Sequence, residues 1–192
     1  MNRESIKEYF DSLAPNRDLW RRRNFYYHKA ITNLCRFNIP SNSRVLEIGC
    51  GTGELLKSVE PIYGVGVDIS QKMIEIASQK YPQFTWLVAD AEDLKLDERF
   101  DYIIFSDILG CLTDVERAFW SLKLVSHERT RVIVTYYNYL WEPVLRLAEF
   151  LHLKAKQPIQ NWLSPQDIEN LLYLSGFEVV KKGNKLILPL GI

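Results

Sequence analysis

The sequence has few cysteines, no long apolar run and no excess of either charge. Its three cysteines, Cys35, Cys50 and Cys111, are odd in number and far apart in the chain. They offer neither a disulfide framework nor the paired CxxC spacing of a zinc site, so no metal is expected. No stretch reaches the roughly 18 apolar residues that span a bilayer, so no membrane span is expected either. The start, MNRESIKEYFDSL, lacks the apolar core of a secretion signal, and the expected location is cytoplasmic. Lys plus Arg and Asp plus Glu each number 24, a net charge of zero; this balance does not suggest a nucleic-acid partner. What is present is an ordinary globular composition, 47% hydrophobic and 25% charged over 192 residues, the length of one domain.

The zero is a cancellation. Residues 1–44 carry nine basic and four acidic groups, residues 45–110 five and twelve, and residues 111–192 ten and eight. The middle of the chain is therefore distinctly acidic. It is also where short apolar runs alternate with helical segments. RVLEI (44–48), IYGVGV (62–67), FTWLVA (84–89), FDYIIF (100–105) and RVIVTYY (131–137) read as strands. Helices are expected over 4–13, 18–38, 54–59, about ten residues after the Ser70 cap, and 114–125. Alternation of this kind implies right-handed βαβ units and a parallel sheet covered on both faces. Beyond the fifth strand, 141–153 reads as an amphipathic helix. Ser164-Pro165 opens a further helix that stops at Gly176. Residues 177–181 and 185–190 then suggest a hairpin around Gly183-Asn184.

The strongest feature is VLEIGCGTG (45–53), a strand running into a glycine-rich turn that opens a helix. In open α/β sheets ligands bind at the carboxyl ends of strands. Asp68 closes the next strand about 20 residues on, the spacing at which a carboxylate accepts bonds from ribose hydroxyls. Dinucleotides, P-loop nucleotides and S-adenosylmethionine all use such an arrangement. No GKS or GKT follows the glycines, and Glu54 stands where the dinucleotide pattern needs Gly or Ala. A dianionic pyrophosphate would be flanked by Glu47 and Glu54. A net-positive sulfonium compound instead suits an acidic rim of Glu47, Asp68, Asp90, Glu92 and Asp107.

VLEIGCGTG, followed by VGVDIS and VADAEDL on the next two strand ends, resembles class I S-adenosylmethionine-dependent methyltransferases. The resemblance covers residues 44 to about 137. It implies an α/β, Rossmann-like, seven-stranded and mostly parallel sheet in order 3-2-1-4-5-7-6, with a terminal antiparallel hairpin and helices on both faces. By that resemblance Glu47, Gly49, Cys50, Gly51 and Gly53 line the methionine part of the cofactor and Asp68 holds its ribose. Ile69, Asp90, Ala91 and Glu92 border the adenine, and Ser106 and Asp107 lie near the methionine part and the acceptor. FDSLAPNRDLWRRRNFYYHKAI, WEPVLRLAEFLHLK and QNWLSPQDIENLLYLSGFEVV also resemble bacterial methyltransferase domains that precede a glycosyltransferase domain. The chain is thus expected to be related to, or cut from, a longer polypeptide. The expected organisation is a single methyltransferase domain: a helical cap (1–43), a cofactor core (44–137), a substrate-side insertion (138–163) and a final helix and hairpin (164–192).

The expected function is methyl transfer to a small-molecule acceptor by in-line displacement. The competing readings are a non-catalytic cofactor-binding or interaction module and an NAD-dependent oxidoreductase. Asp107 is the candidate base or substrate anchor. Tyr26, Tyr27 and Tyr137 are the candidate substrate contacts, with Arg22, His28, Tyr136 and Asn138 nearby. The run Arg21-Arg22-Arg23 reads either as an anion contact or as a solvated helix face. No NPPY or DPPY follows the fourth strand, which bears Ser106-Asp107-Ile108-Leu109 there; this argues against methylation of base amino groups.

Overall fold

Parallel pairing of β1 (Arg44–Ile48), β2 (Tyr63–Asp68), β3 (Thr85–Val88), β4 (Phe100–Ser106) and β5 (Ser126–Thr135) sets the frame, in order β3-β2-β1-β4-β5. The computed structural model describes residues 3–136 and 163–184, together with 142, 143, 147, 150, 151 and 161. Successive side chains of a strand face opposite ways. Leu46 and Ile48 of β1 and Ile103 and Phe105 of β4 therefore enter one core, with Phe119 and Leu122 of α6 (Val115–Leu124). Val45 and Ile104 enter the other, with Ile31 and Cys35 of α3 (Phe25–Asn38) and Leu55 and Leu56 of α4 (Glu54–Val59). The same parity turns Glu47, paired in register with Gly66 and Ile104, toward α3 and α4. A carboxylate is thereby placed on an otherwise apolar face at the end of the central strand.

Further α-helices among the described residues are α1 (Arg3–Leu13), α2 (Arg17–Arg23), α5 (Gln71–Lys80) and α7 (Pro165–Leu174). Ser70 caps α5 by accepting the Met73 amide at 3.1 Å. Ser164 and Asp167 form a full capping box on α7. The sequence suggests one helix over 18–38, but the structure breaks it at Asn24. There the Asn24 side-chain amide donates to the Trp20 carbonyl at 3.0 Å and competes with the helical ladder. The fifth strand starts earlier than expected. Its first pair, Ser126 with Phe100, is separated from the Tyr102–Arg131 pair by a bulge. Thr130 holds that bulge, accepting the His127 amide at 2.8 Å and donating to the Phe100 carbonyl at 2.6 Å.

The seven-stranded order with a terminal hairpin is not what the described residues form: the sheet has five strands, all parallel. Residues 177–184 are not in strand. They run along the surface with Val180 70% exposed, and the Lys182 ammonium pairs with Glu169 at 2.9 Å. A strand needs a neighbour for its alternate amides, and the expected partner, 185–190, lies outside the described residues. The helix expected over 141–153 also lies largely outside them, although 142, 143, 147 and 150 are helical.

Phe119 is fully buried between α6 and the sheet, its ring 5.6 Å from that of Phe105. Phe119→Ala is expected to cost about 3–5 kcal/mol of unfolding free energy. Leu124→Ala, at a position 65% exposed, should stay within about 0.5 kcal/mol. Urea unfolding of both variants checks this, and equal midpoints would contradict the assigned core.

Candidate functional site

The glycine loop leaves β1 through backbone bonds to its neighbour: the Gly49 and Cys50 amides donate to the Val67 carbonyl at 2.8 and 3.0 Å. Gly53 then turns with φ +82, a left-handed conformation that costs any other residue. The Trp86 ring lies directly against it and would collide with a Cβ. Gly51 (φ +53) is different. A Cβ there would collide with nothing and would meet only the mobile end of a side chain, Arg17 Nε at 3.7 Å, so its backbone borders the pocket without a rigid neighbour against it.

Two buried carboxylates organise the loop. Asp68 accepts the Gly51 amide through Oδ2 and the Ser70 amide through Oδ1, each at 2.9 Å. Glu47 accepts the Leu56 amide of α4 at 2.8 Å. Burial pushes both carboxyls up, Glu47 to about 8, with Arg21 and the Leu56 amide opposing. Each Asp68 oxygen keeps a second lone pair for a hydroxyl donor.

The N-terminal helices strap across these strand ends. Arg3 of α1 pairs with Asp90 at 3.1 Å and Glu92 at 2.7 Å beyond β3. Asp11 of α1 accepts from the Ser70 hydroxyl at 2.5 Å beyond β2. Asp18 of α2 accepts from the Thr52 hydroxyl in the glycine loop at 2.8 Å and from Lys80 at 2.9 Å. Lys80 also pairs with Glu54, which accepts the Tyr81 hydroxyl at 2.7 Å. Tyr27 of α3 donates to Asp107 Oδ2 at 2.7 Å beyond β4.

Asp107 itself stands at φ +58, a conformation that costs a non-glycine residue about 1–3 kcal/mol. Its amide donates to the Thr135 carbonyl at 2.9 Å, and Oδ1 accepts the Thr135 hydroxyl at 3.0 Å. Thr135 in turn meets Ser106 at 2.8 Å. Strain held by this many bonds is characteristic of a working position.

The pocket brings Glu47, Gly49, Gly51, Asp68, Ile69, Asp90, Ala91, Ser106, Asp107 and Tyr27 together. Cys50 and Glu92 border the same pocket, with their side chains engaged within the protein, and Gly53 and Tyr26 lie apart from it. The Cys50 side chain is buried toward Gly66 and its thiol is pushed well up by burial, so its backbone alone serves the loop. Gly53 is shaped by Trp86 within the protein. Glu92 is saturated, with Oε2 on Arg3 and Oε1 on the Thr113 and Asp114 amides; it ties the β3 loop to the start of α6. Tyr26 is 53% exposed and packs on Phe25, one position off the inward face that carries Tyr27. Tyr137 and Asn138 lie outside the described residues. Arg22 and Arg23 are exposed and Arg21 is half-buried; Arg21 and Arg23 both border the pocket, and Arg22 does not. Sequence reasoning did not single out Arg17, Thr52, Trp86 or Thr135. The helical spacing of Arg17 and Arg21, one turn apart, was the available signal for the first.

A raised carboxyl makes stability fall with pH. Between the unfolded value near 4.5 and about 8, Glu47 keeps its proton folded and loses it unfolded, so folding weakens as pH rises across that window. Glu47→Gln has no proton to lose. The ligand-free protein is therefore expected to lose stability from pH 5 to 8 more steeply than Glu47→Gln, by urea unfolding at several pH values. Parallel profiles would contradict the raised value.

A family profile described as "Methyltransferase domain" matches residues 19–182. A demethylmenaquinone methyltransferase from Chlorobaculum tepidum is 30% identical over 116 residues, 54% of this chain and 47% of that protein. A tRNA (carboxymethyluridine(34)-5-O)-methyltransferase from Arabidopsis thaliana is 32% identical over 132 residues, 67% of this chain and 32% of that protein. The chain thus spans about half or less of these relatives. Among solved structures, a Thermotoga maritima S-adenosylmethionine-dependent methyltransferase, a possible histamine N-methyltransferase, superposes with a TM-score of 0.76 at 21% identity. That match covers 91% of this chain and 82% of the other. The match over residues 19–182, joined to a glycine loop and an acidic strand end on a Rossmann-like parallel sheet, shows that the chain belongs to the class I, S-adenosylmethionine-dependent methyltransferase family.

Proposed function

We propose that this chain transfers a methyl group from S-adenosylmethionine to a small-molecule acceptor. The observation that carries the reading is the junction of Gly51 and Asp68. A backbone face that borders the pocket and a buried carboxylate meet where the sheet order turns from β1 to β2 on one side and to β4 on the other. The residues present fit the cofactor: the cradle at Gly51 is one a side chain would fill, and Asp68 retains acceptor capacity for ribose hydroxyls. Gly49, Gly51 and Glu47 would hold the methionine part, Asp68 and Ile69 the ribose and adenine, and Asp90 and Ala91 the adenine edge. When bound, the cofactor supplies an activated methyl group on a positively charged leaving group. The chain's own work is alignment and exclusion of water. The strap of α1 to α3 over four strand ends does both.

A small acceptor is supported by the pocket under that strap, bordered by the bonded pair Tyr27 and Asp107, and by the relative named for demethylmenaquinone. The relative named for tRNA represents the competing acceptor class, so tRNA belongs in the assay. Calorimetric titration with S-adenosylhomocysteine and with NAD separates this reading from an NAD-dependent oxidoreductase and from a module that binds neither, and label transfer separates it from a non-catalytic cofactor-binding module. Binding of S-adenosylhomocysteine alone is expected, and absence of heat would overturn the proposal. Label transfer from methyl-labelled S-adenosylmethionine to a metabolite panel, and not to tRNA, is the expected second result. Asp68→Ala should weaken S-adenosylhomocysteine by about 1–3 kcal/mol; unchanged affinity would refute the ribose role.

A further inference from the structure

Two cations of α2, Arg17 and Arg21, border the pocket with no carboxylate in ion-pair contact among the described residues. Arg17 Nε lies 3.7 Å from where a Gly51 Cβ would stand, and Arg21, one turn on, places Nη1 3.5 Å from His28 Nδ1. Among the described residues neither guanidinium has a carboxylate within ion-pair distance, unlike Arg3, Arg44 and Lys80. Burial lowers the Arg21 pKa, with Glu47 and Glu54 opposing from farther off. A desolvated guanidinium whose one recorded partner is a neutral ring nitrogen is costly, and its fork matches a carboxylate. Arg21 also stands on the acceptor side. The His28 ring meets that of Tyr27 at 5.4 Å, and Tyr27 bonds Asp107.

The same region is poor in bases. Both Asp107 oxygens already accept hydroxyl protons, from Tyr27 and Thr135. Burial and the two arginines push the His28 pKa down to about 3. Glu47 is 3% exposed and turned to the Leu56 amide. An alcohol or amine would have to shed a proton here, whereas a carboxylate arrives without one.

Resting on the methyltransferase reading above, we propose that the acceptor carries a carboxylate seated on Arg21, with Arg17 beside it, and that this carboxylate takes the methyl group. One carboxylate oxygen forms the bond to the methyl carbon as the carbon–sulfur bond of the sulfonium breaks. The electron pair stays on sulfur, the opposite charges cancel, and no proton moves. The product is a methyl ester. The binding energy comes from the guanidinium fork, and methylation abolishes it by removing the charge, which favours product release.

The cofactor also owns a carboxylate, and the test separates the two. Thermal shifts of the S-adenosylhomocysteine-bound protein are measured with hexanoate and benzoate, each against its methyl ester, in wild type, Arg21→Gln and Arg21→Lys. Wild type should be stabilised by the acids and not the esters. Arg21→Gln should lose the effect at least tenfold in midpoint concentration, and Arg21→Lys should recover part of it. S-adenosylhomocysteine and 5′-methylthioadenosine should each bind Arg21→Gln within twofold of wild type, which also shows that the variant folds. Transferred label should be released by mild alkali, as a methyl ester requires. Acids and esters that act alike would overturn the proposal. So would a loss in Arg21→Gln confined to S-adenosylhomocysteine, which would give Arg21 to the cofactor, or an alkali-stable product. If wild type does not bind S-adenosylhomocysteine at all, the underlying function fails instead, and the acid–ester comparison on the free protein then decides the seat alone.

Discussion

The Asp68 carboxylate is the fixed point of this molecule. Its two oxygens receive the Gly51 and Ser70 amides, one from the loop after β1 and one from the start of α5. A charged acceptor with two amide donors makes strong bonds in a buried setting. Both strand ends are held at one spacing before any ligand arrives. Remove that carboxylate, and the glycine loop and the α5 cap lose their common reference. The raised proton affinity of Asp68 and Glu47 is the cost of this burial, and the strap of basic residues partly offsets it.

The strap crosses an uneven division of charge in a chain of zero net charge, with Arg3 pairing carboxylates of the acidic middle and Asp18 pairing the other way with Lys80. The acidic middle ends its strands in carboxylates, and the basic N-terminal segment lies across them. Arg3, Asp11, Asp18 and Tyr27 each reach a different strand end. Individually such contacts at a half-exposed surface are weak. Spread over three helices, they locate the segment as a body. Where the basic set outnumbers its partners, at Arg17 and Arg21, positive charge remains directed at the pocket.

Much of the core was legible in the sequence because strand ends there carry their own punctuation. Glycine turns, the Ser70 and Ser164 caps and the apolar runs all fell where local chemistry demands them. What sequence could not reveal was direction. Tyr26 and Tyr27 are adjacent, and helical phase alone decides that Tyr27 meets Asp107 while Tyr26 is solvated. Arg21, Arg22 and Arg23 divide for the same reason, in the last turn of α2 just before the break at Asn24. Glu92 fits a ligand contact by position, but its role depends on amides some twenty residues away and an arginine at the chain's start. The seven-stranded order was an expectation of family resemblance, and the five parallel strands described here carry the site without it.

The indole of Trp86 lies across both Gly53 and Gly66, residues of different strands and loops, and would meet a Cβ at either one. Its Nε1 is pinned to the Tyr81 carbonyl at 2.8 Å, so the ring has little freedom to retreat. Three positions far apart in the chain thus share one volume. A side chain gained at 53 or 66 can be accommodated only if 86 shrinks in the same lineage, and at 53 the left-handed backbone resists even then. Change in this part of the molecule is therefore expected to come in matched pairs, and an intermediate bearing half of such a pair is the variant selection would remove.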